Sequence, residues 1–188
     1  MSLVTGRFKA LIDKIESSLA QNLADTLIIE SFIPEFKALL ADIHWLPEIF
    51  QHSDPQHYQQ YLLYKDPQVR FSIVSFVWGP GQKTPIHNHE VWGAVGVIQG
   101  AEISQRFAWK EQKLRPVASG DVLQVGDIDW FTPASGDVHQ VSNAFADQVS
   151  ISIHIYGADI GQVKRFTYSP TGEAKVFISG YSNKELRK

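Results

Sequence analysis

His87 and His89 flank a single residue, so on an extended strand both imidazoles project from one face and can reach one cation. Standing alone, a His-x-His is more often two hydrogen-bonded side chains at a turn. A third histidine, His139, follows in the stretch Gly136-Asp137-Val138-His139-Gln140-Val141-Ser142-Asn143. The chain has no cysteine, which excludes disulfides, thiolate metal ligands, iron–sulfur clusters and a cysteine nucleophile. A metal here has to be held by His, Asp or Glu. Three neutral imidazoles leave a divalent ion its full charge and open positions, so an anionic co-ligand is expected from the substrate. The same trio suits zinc with a bound water, and the triad alone does not choose between metals.

A second row could do chemistry. Ser152, His154 and Tyr156 alternate with Ile151, Ile153 and Ile155 in Ser-Ile-His-Ile-Tyr, so one face of a strand is polar and the other apolar. Facing inward such a row is costly unless it is used; facing outward it is only solvated.

These side chains need a scaffold. Val4, Phe8, Leu11, Ile12, Ile15 and Leu19 recur at helical spacing, as do Leu27, Ile28, Phe32, Phe36, Leu39, Leu40 and Ile43. Asp25 and Thr26 are expected to cap the second segment and Pro34 to divide it, giving two or three helices before Trp45. Strands are predicted near 58–64, 71–78, 91–99, 102–109, 121–125, 138–143, 150–156 and 165–168, where Val, Ile, Phe, Tyr and Trp cluster between Gly, Pro, Asp and Asn. Many short strands predict a sandwich or barrel, with the helices (about 1–50) packed on the β portion (about 58–180) in one domain spanning 1–188. The last residues, from Asn183, read as a solvated tail. A net charge of −3 and scattered Lys and Arg give no nucleic-acid footprint. No apolar run is long enough to span a bilayer and the start lacks a signal-peptide pattern. A soluble, cytoplasmic monomer or homodimer acting on a small molecule is expected.

The histidine motifs resemble those of cupins, double-stranded β-helix barrels with the patterns Gly-x5-His-x-His-x3-Glu-x6-Gly and Gly-x2-His-x3-Asn. Gly81, His87, His89, Gly100, Gly136, His139 and Asn143 match. Gly93 stands where the pattern has its carboxylate ligand, and Pro133 is displaced by one residue. Glu90 is a weak substitute, because it adjoins His89 and should face away on a regular strand. Together with Ser152-Ile153-His154-Ile155-Tyr156, the glutamate-free triad resembles the cysteine dioxygenase type I family over about 58–168. The resemblance implies Fe(2+) on His87, His89 and His139. It also implies a row in which Ser152 orients His154 and His154 orients Tyr156, whose hydroxyl points at the ligands on iron. Animal members cross-link that tyrosine to a cysteine; with Gly93 or Ala94 in that neighbourhood the cross-link is impossible here.

Cysteine-using members hold the substrate carboxylate with an arginine on an early strand, where this chain offers Gln60. Arg165 instead resembles the arginine of bacterial 3-mercaptopropionate dioxygenase-like members, and a guanidinium can grip a carboxylate bidentately. Taken alone, Lys164-Arg165 would read as a solvated pair. The implied reaction adds both atoms of dioxygen to a small carboxylate-bearing thiol to give a sulfinate, with 3-mercaptopropionate the simplest fit and cysteine or cysteamine as alternatives. The rivals are a zinc or nickel cupin lyase, isomerase or hydrolase, and a non-catalytic cupin that binds a small acid. His44, His52 and His57 remain unassigned. Trp78, Trp92 and Trp109 read as core, with Trp92 a further candidate to line the pocket.

Overall fold

The computed structural model describes residues 3–4 and 6–183. Two helices come first, α1 (Gly6–Ala20) and α2 (Asp25–Leu40), followed by short 3-10 turns at Ile43–Trp45 and Glu48–Phe50. Twelve strands follow: β1 (Gln59–Lys65), β2 (Ser72–Trp78), β3 (Ile86–His87), β4 (Gly93–Gln99), β5 (Ala101–Lys110), β6 (Lys113–Pro116), β7 (Asp121–Gln124), β8 (Ile128–Phe131), β9 (His139–Asn143), β10 (Ser150–Tyr156), β11 (Arg165–Tyr168) and β12 (Ala174–Phe177).

The strands form two antiparallel sheets. One runs β1-β2-β10-β4-β8; the other runs β12-β11-β3-β9-β5-β6, with β7 also pairing with β5. This is the expected mainly β, cupin-type double-stranded β-helix barrel with helices packed on it. β2 and β10 are buried at every position, because the first sheet is covered on both faces. Its outer face meets the helices: Ile73, Val77, Ile151, Ile153 and Ile155 join Phe8, Leu11, Ile15, Phe32, Phe36 and Leu39 in one apolar cluster. Each such side chain contributes about 1.5–3 kcal/mol of transfer free energy. Its inner face, with Val74, Phe76, Trp78, Val95, Phe131 and Tyr156, forms a second cluster inside the barrel. Gly96 lets the helices approach: a Cβ there would overlap Leu40 and Phe36.

Several expectations need correction. Pro34 does not divide the second helix; α2 runs through it, because the buried Ile28, Ile29, Phe32, Phe36, Leu39 and Leu40 hold both halves on the sheet. Ala24, not Asp25 or Thr26, occupies the N-cap, without a side-chain bond. Strands β3, β6, β8 and β12 lie outside the predicted set. Asn183 is no solvated residue: it is buried, its Oδ1 accepting from Leu62 N and its Nδ2 donating to Leu62 O. The rest of that predicted tail lies outside the described residues.

Candidate metal centre and acid pocket

β3 ends at His87, so the two histidines do not share a strand as expected. The chain turns at once, and Glu90 adopts a left-handed φ of 62°. Asp137 makes that turn possible, its Oδ2 accepting from the backbone N of His89 at 2.8 Å and of Glu90 at 2.9 Å. Asn88 ties the turn to β11, its Oδ1 accepting from Phe166 N at 2.8 Å, and its amide donates to Glu90. Glu90 spends its carboxylate there, exposed and outside the histidine cluster, which disposes of it as a substitute ligand.

His139 opens β9 and pairs in register with His87. The rings of His87, His89 and His139 converge, with centroids 4.8–4.9 Å apart. One ligand nitrogen from each lies within 4.8 Å of the others, and all three residues are buried. Their donor chemistry fits a divalent ion. Burial lowers the pKa of His87 to about 4, against a smaller opposing effect of the Pro85 carbonyl. Burial likewise lowers His89 and His139 well below the usual range, and the neighbouring histidines push the same way. All three are therefore neutral imidazoles at pH 7. Nδ1 of His87 lies 3.0 Å from Pro85 O and Nδ1 of His89 lies 3.2 Å from Asp137 O, which leaves Nε2 of each as the free nitrogen.

Beside the trio runs the predicted row. Ser152 Oγ lies 2.8 Å from His154 Nε2, and His154 Nδ1 lies 2.8 Å from the Tyr156 hydroxyl. The row faces the barrel interior. Trp78 Nε1 donates to Ser152 Oγ at 3.2 Å, and the His154 ring stacks on Phe76 at 4.0 Å. Burial above all raises the Tyr156 pKa, so its hydroxyl keeps its proton at neutral pH. Tyr156 stacks against His89 with centroids 5.5 Å apart. At position 93 a Cβ would overlap the Phe131 ring and come 3.1 Å from Tyr156 Cδ1, so no side chain fits where the carboxylate ligand of other cupins, or a cross-linking cysteine, would sit.

Two members of the trio, His87 and His139, and two of the row, His154 and Tyr156, line a cavity of about 240 Å³. Tyr58, Gln60, Phe76 and Trp78 line it with them, as do Arg165, Thr167, Lys175, Phe177 and Ser179. Arg165 is no solvated residue: it is 4 % exposed, whereas Lys164 is exposed. Its Nη2 donates to Ser179 Oγ at 2.7 Å, its guanidinium lies 4.6 Å over the Phe177 ring, and its Nε has no partner among the described residues. Gln60 is among the residues that line the cavity. Trp92 does not; it is buried beside Phe32 in the helix-facing core. Sequence reasoning passed over Phe131 and Phe177, which sit on the short strands β8 and β12, and Ser179 just after β12. Lys175, Phe177 and Ser179 alternate, the one signal that they share a face.

Comparison with solved structures finds low-identity likenesses. An uncharacterized conserved protein with a double-stranded beta-helix domain from Klebsiella pneumoniae is 14% identical, with 69% of this chain and 91% of that chain covered and a TM-score of 0.48. TT1209 from Thermus thermophilus is 15% identical, with 59% and 92% covered and a TM-score of 0.47. A cupin superfamily protein from Desulfitobacterium hafniense is 12% identical, with 57% and 84% covered and a TM-score of 0.44. The family model described as cysteine dioxygenase type I matches residues 2–169, nearly the whole of the helical and barrel portions, and the chain belongs to that family.

Proposed function

We propose that this protein is a ferrous-iron dioxygenase that adds both atoms of O2 to a small carboxylate-bearing thiol, 3-mercaptopropionate before cysteine, giving the sulfinate. The observation that carries the reading is the polarity of the cavity. Arg165 is buried with an unpaired Nε, it lines the same cavity as His87 and His139 of the trio, and no carboxylate lines that cavity among the described residues. A short acid can place its carboxylate on Arg165 and its sulfur at the trio. An ammonium group would find no anion there, so a thiol without an amine leaves nothing unpaired.

His87, His89 and His139 would hold the iron, which when bound supplies dioxygen activation and a seat for the thiolate. Arg165 orients the carboxylate, pinned by Ser179 and Phe177 so that little freedom is lost on binding. Gln60 contributes a polar contact in the same cavity. Tyr156, held by His154 and Ser152, presents a protonated hydroxyl to the trio and steadies negative charge that develops there. The apolar wall of Phe76 and Trp78 limits water. Thiol and dioxygen together balance the sulfinate, so no external reductant is needed. The protein is read as one cytoplasmic domain acting as a monomer or homodimer.

The test is anaerobic reconstitution with ferrous iron followed by oxygen uptake with 3-mercaptopropionate, cysteine and cysteamine. Uptake that requires iron, matches sulfinate formed and is fastest with 3-mercaptopropionate supports the reading. If no thiol drives uptake in iron-loaded protein, the lyase and acid-binding readings replace it.

A further inference from the structure

The interior face of β5 carries three polar side chains in alternation, Glu102, Ser104 and Arg106, and two of them are accounted for. Ser104 Oγ donates to Asp129 Oδ2 at 3.1 Å, and the Arg106 guanidinium pairs with the same carboxylate. Glu102 is 0% exposed, and neither of its carboxyl oxygens has a hydrogen-bond partner among the described residues. Ser152 and Trp78 face it and draw its pKa down, without meeting it in hydrogen-bond geometry; burial outweighs them and holds the group up at about 8. An ionised carboxylate with no cation is among the costliest groups to bury. At neutral pH Glu102 is therefore the neutral acid, and a donor.

Ser152 is the outer end of the row that leads to Tyr156. His154 is neutral, because burial and nearby His87 hold its pKa well below the usual range. A neutral imidazole has one donor and one acceptor nitrogen, so the row has a direction that one end must set. We propose that Glu102 is the proton reservoir of this row: as the acid it aims the Tyr156 hydroxyl proton into the three-histidine site, and it replaces a proton that Tyr156 gives up. The role in turnover rests on the dioxygenase reading; the coupling of Glu102 to His154 does not.

The protons balance. In the first state Glu102 turns onto Ser152 and donates to its Oγ, Ser152 donates to His154 Nε2, and His154 Nδ1–H donates to the Tyr156 oxygen, which leaves the Tyr156 proton free for the site. When Tyr156 yields it, each donor passes its proton one place along. Glu102 ends ionised and accepts from Ser152, His154 now donates from Nε2 to Ser152, and Tyr156 donates back to His154 Nδ1. Ser152 Oγ keeps the Trp78 Nε1–H bond throughout and is fully paired in both states. Other titratable groups on the packed strands are placed elsewhere: β9 brings His139 opposite Arg106, β7 brings Asp121 opposite Ser104, and β10 brings Tyr156, which feels the Glu102 charge. No cation is among the groups that shift Glu102.

The test is nitrogen NMR of the full chain labelled on histidine, with zinc added as a diamagnetic ion, across neutral to alkaline pH. The signals of His154 are assigned by their loss in His154→Gln. The protonated nitrogen of His154 is expected to switch from Nδ1 to Nε2 with a midpoint near 8. The switch disappears in Glu102→Gln. It also disappears in Ser152→Ala, while the infrared carboxylic-acid band of Glu102 persists there. A His154 tautomer that never changes, or that switches in Glu102→Gln as in the wild type, overturns the proposal. In iron-loaded protein with 3-mercaptopropionate, kcat of the wild type falls as pH rises through that midpoint. Glu102→Gln flattens the limb and lowers kcat on the order of 10²-fold with KM unchanged, the low end for positioned proton transfer. A retained alkaline limb in Glu102→Gln also overturns it. If no thiol drives oxygen uptake, the dioxygenase reading fails and the tautomer experiment decides Glu102 by itself.

Discussion

Along β10, Ile151, Ile153 and Ile155 turn outward onto the helices while Ser152, His154 and Tyr156 turn into the barrel, and all of these residues are buried. Burial therefore does not distinguish the two faces; what each needs in return does. The isoleucines gain transfer free energy and need only close packing against Phe32, Phe36 and their neighbours. The polar row gains nothing from being dry and persists because each member finds a partner: Trp78 for Ser152, Ser152 and Tyr156 for His154. One strand thus fastens the barrel to its helical cover and fixes the row that faces the histidine trio. Substitutions on the two faces should fail in different ways.

The largest effect is expected at the trio that the inner face serves. His139→Ala removes one of three ligands; metal retained after dialysis, measured by elemental analysis, should fall to background, and oxygen uptake should vanish with the fold intact by circular dichroism. On the outer face Ile153→Ala leaves a cavity and should cost about 2–5 kcal/mol in urea unfolding, with kcat little changed in the protein that remains folded. Tyr156→Phe is the mirror case: about 1 kcal/mol of stability, but on the order of 10²-fold in kcat. If Ile153→Ala impaired kcat as strongly as Tyr156→Phe, the division between the faces would be wrong. Smaller again is Arg165→Met, which keeps the length of the side chain and removes its charge. It should raise KM for 3-mercaptopropionate by about 1.5–3 kcal/mol, roughly 10-fold to 150-fold, and leave cysteamine, which has no carboxylate, unaffected.

The outer face was the more legible of the two. Alternation of Ile with polar residues in β10 and helical spacing in α1 and α2 announce an apolar surface without reference to anything distant. The histidine trio was legible because His87 and His89 are separated by a single residue and His139 sits in a compact motif. The turn that delivers His89 was not, because it depends on the Asp137 side chain reaching across from another part of the chain. Pro34 misled for the same kind of reason: a local penalty of a few kcal/mol is outweighed by packing that only the fold reveals. β8 lies between Gly126-Asp127 and Pro133, so it reads as loop, yet Phe131 on it stacks 4.2 Å from His89. Taken alone, Arg165 read as half of a solvated pair and only the family resemblance made it a carboxylate anchor; its burial depends on Phe177 of β12 and Ser179 just beyond it. Glu102 went unremarked within a predicted strand, although Glu102, Ser104 and Arg106 at alternating places mark a face that has to be explained.

Glu102 also gives the smallest and most direct measure of what the inner face costs. Its carboxyl has an ordinary value of 4.5 and is held at about 8 in the fold. Between those values the folded state binds a proton that the unfolded chain has released, so stability falls as pH rises through the window. The slope is about 1.4 kcal/mol for each pH unit. Glu102→Gln removes the titrating group and keeps its shape. Urea unfolding of the two proteins should therefore give similar stabilities at the acid end of the window, with the variant gaining on the wild type toward the alkaline end. A residue that weakens the fold while it remains in place is being kept for the row it feeds. Should Glu102→Gln instead be the less stable protein near pH 8, the carboxylate must be ionised and paired in the fold. The inner face would then be stabilised by its charge, and the contrast with the isoleucine face would disappear.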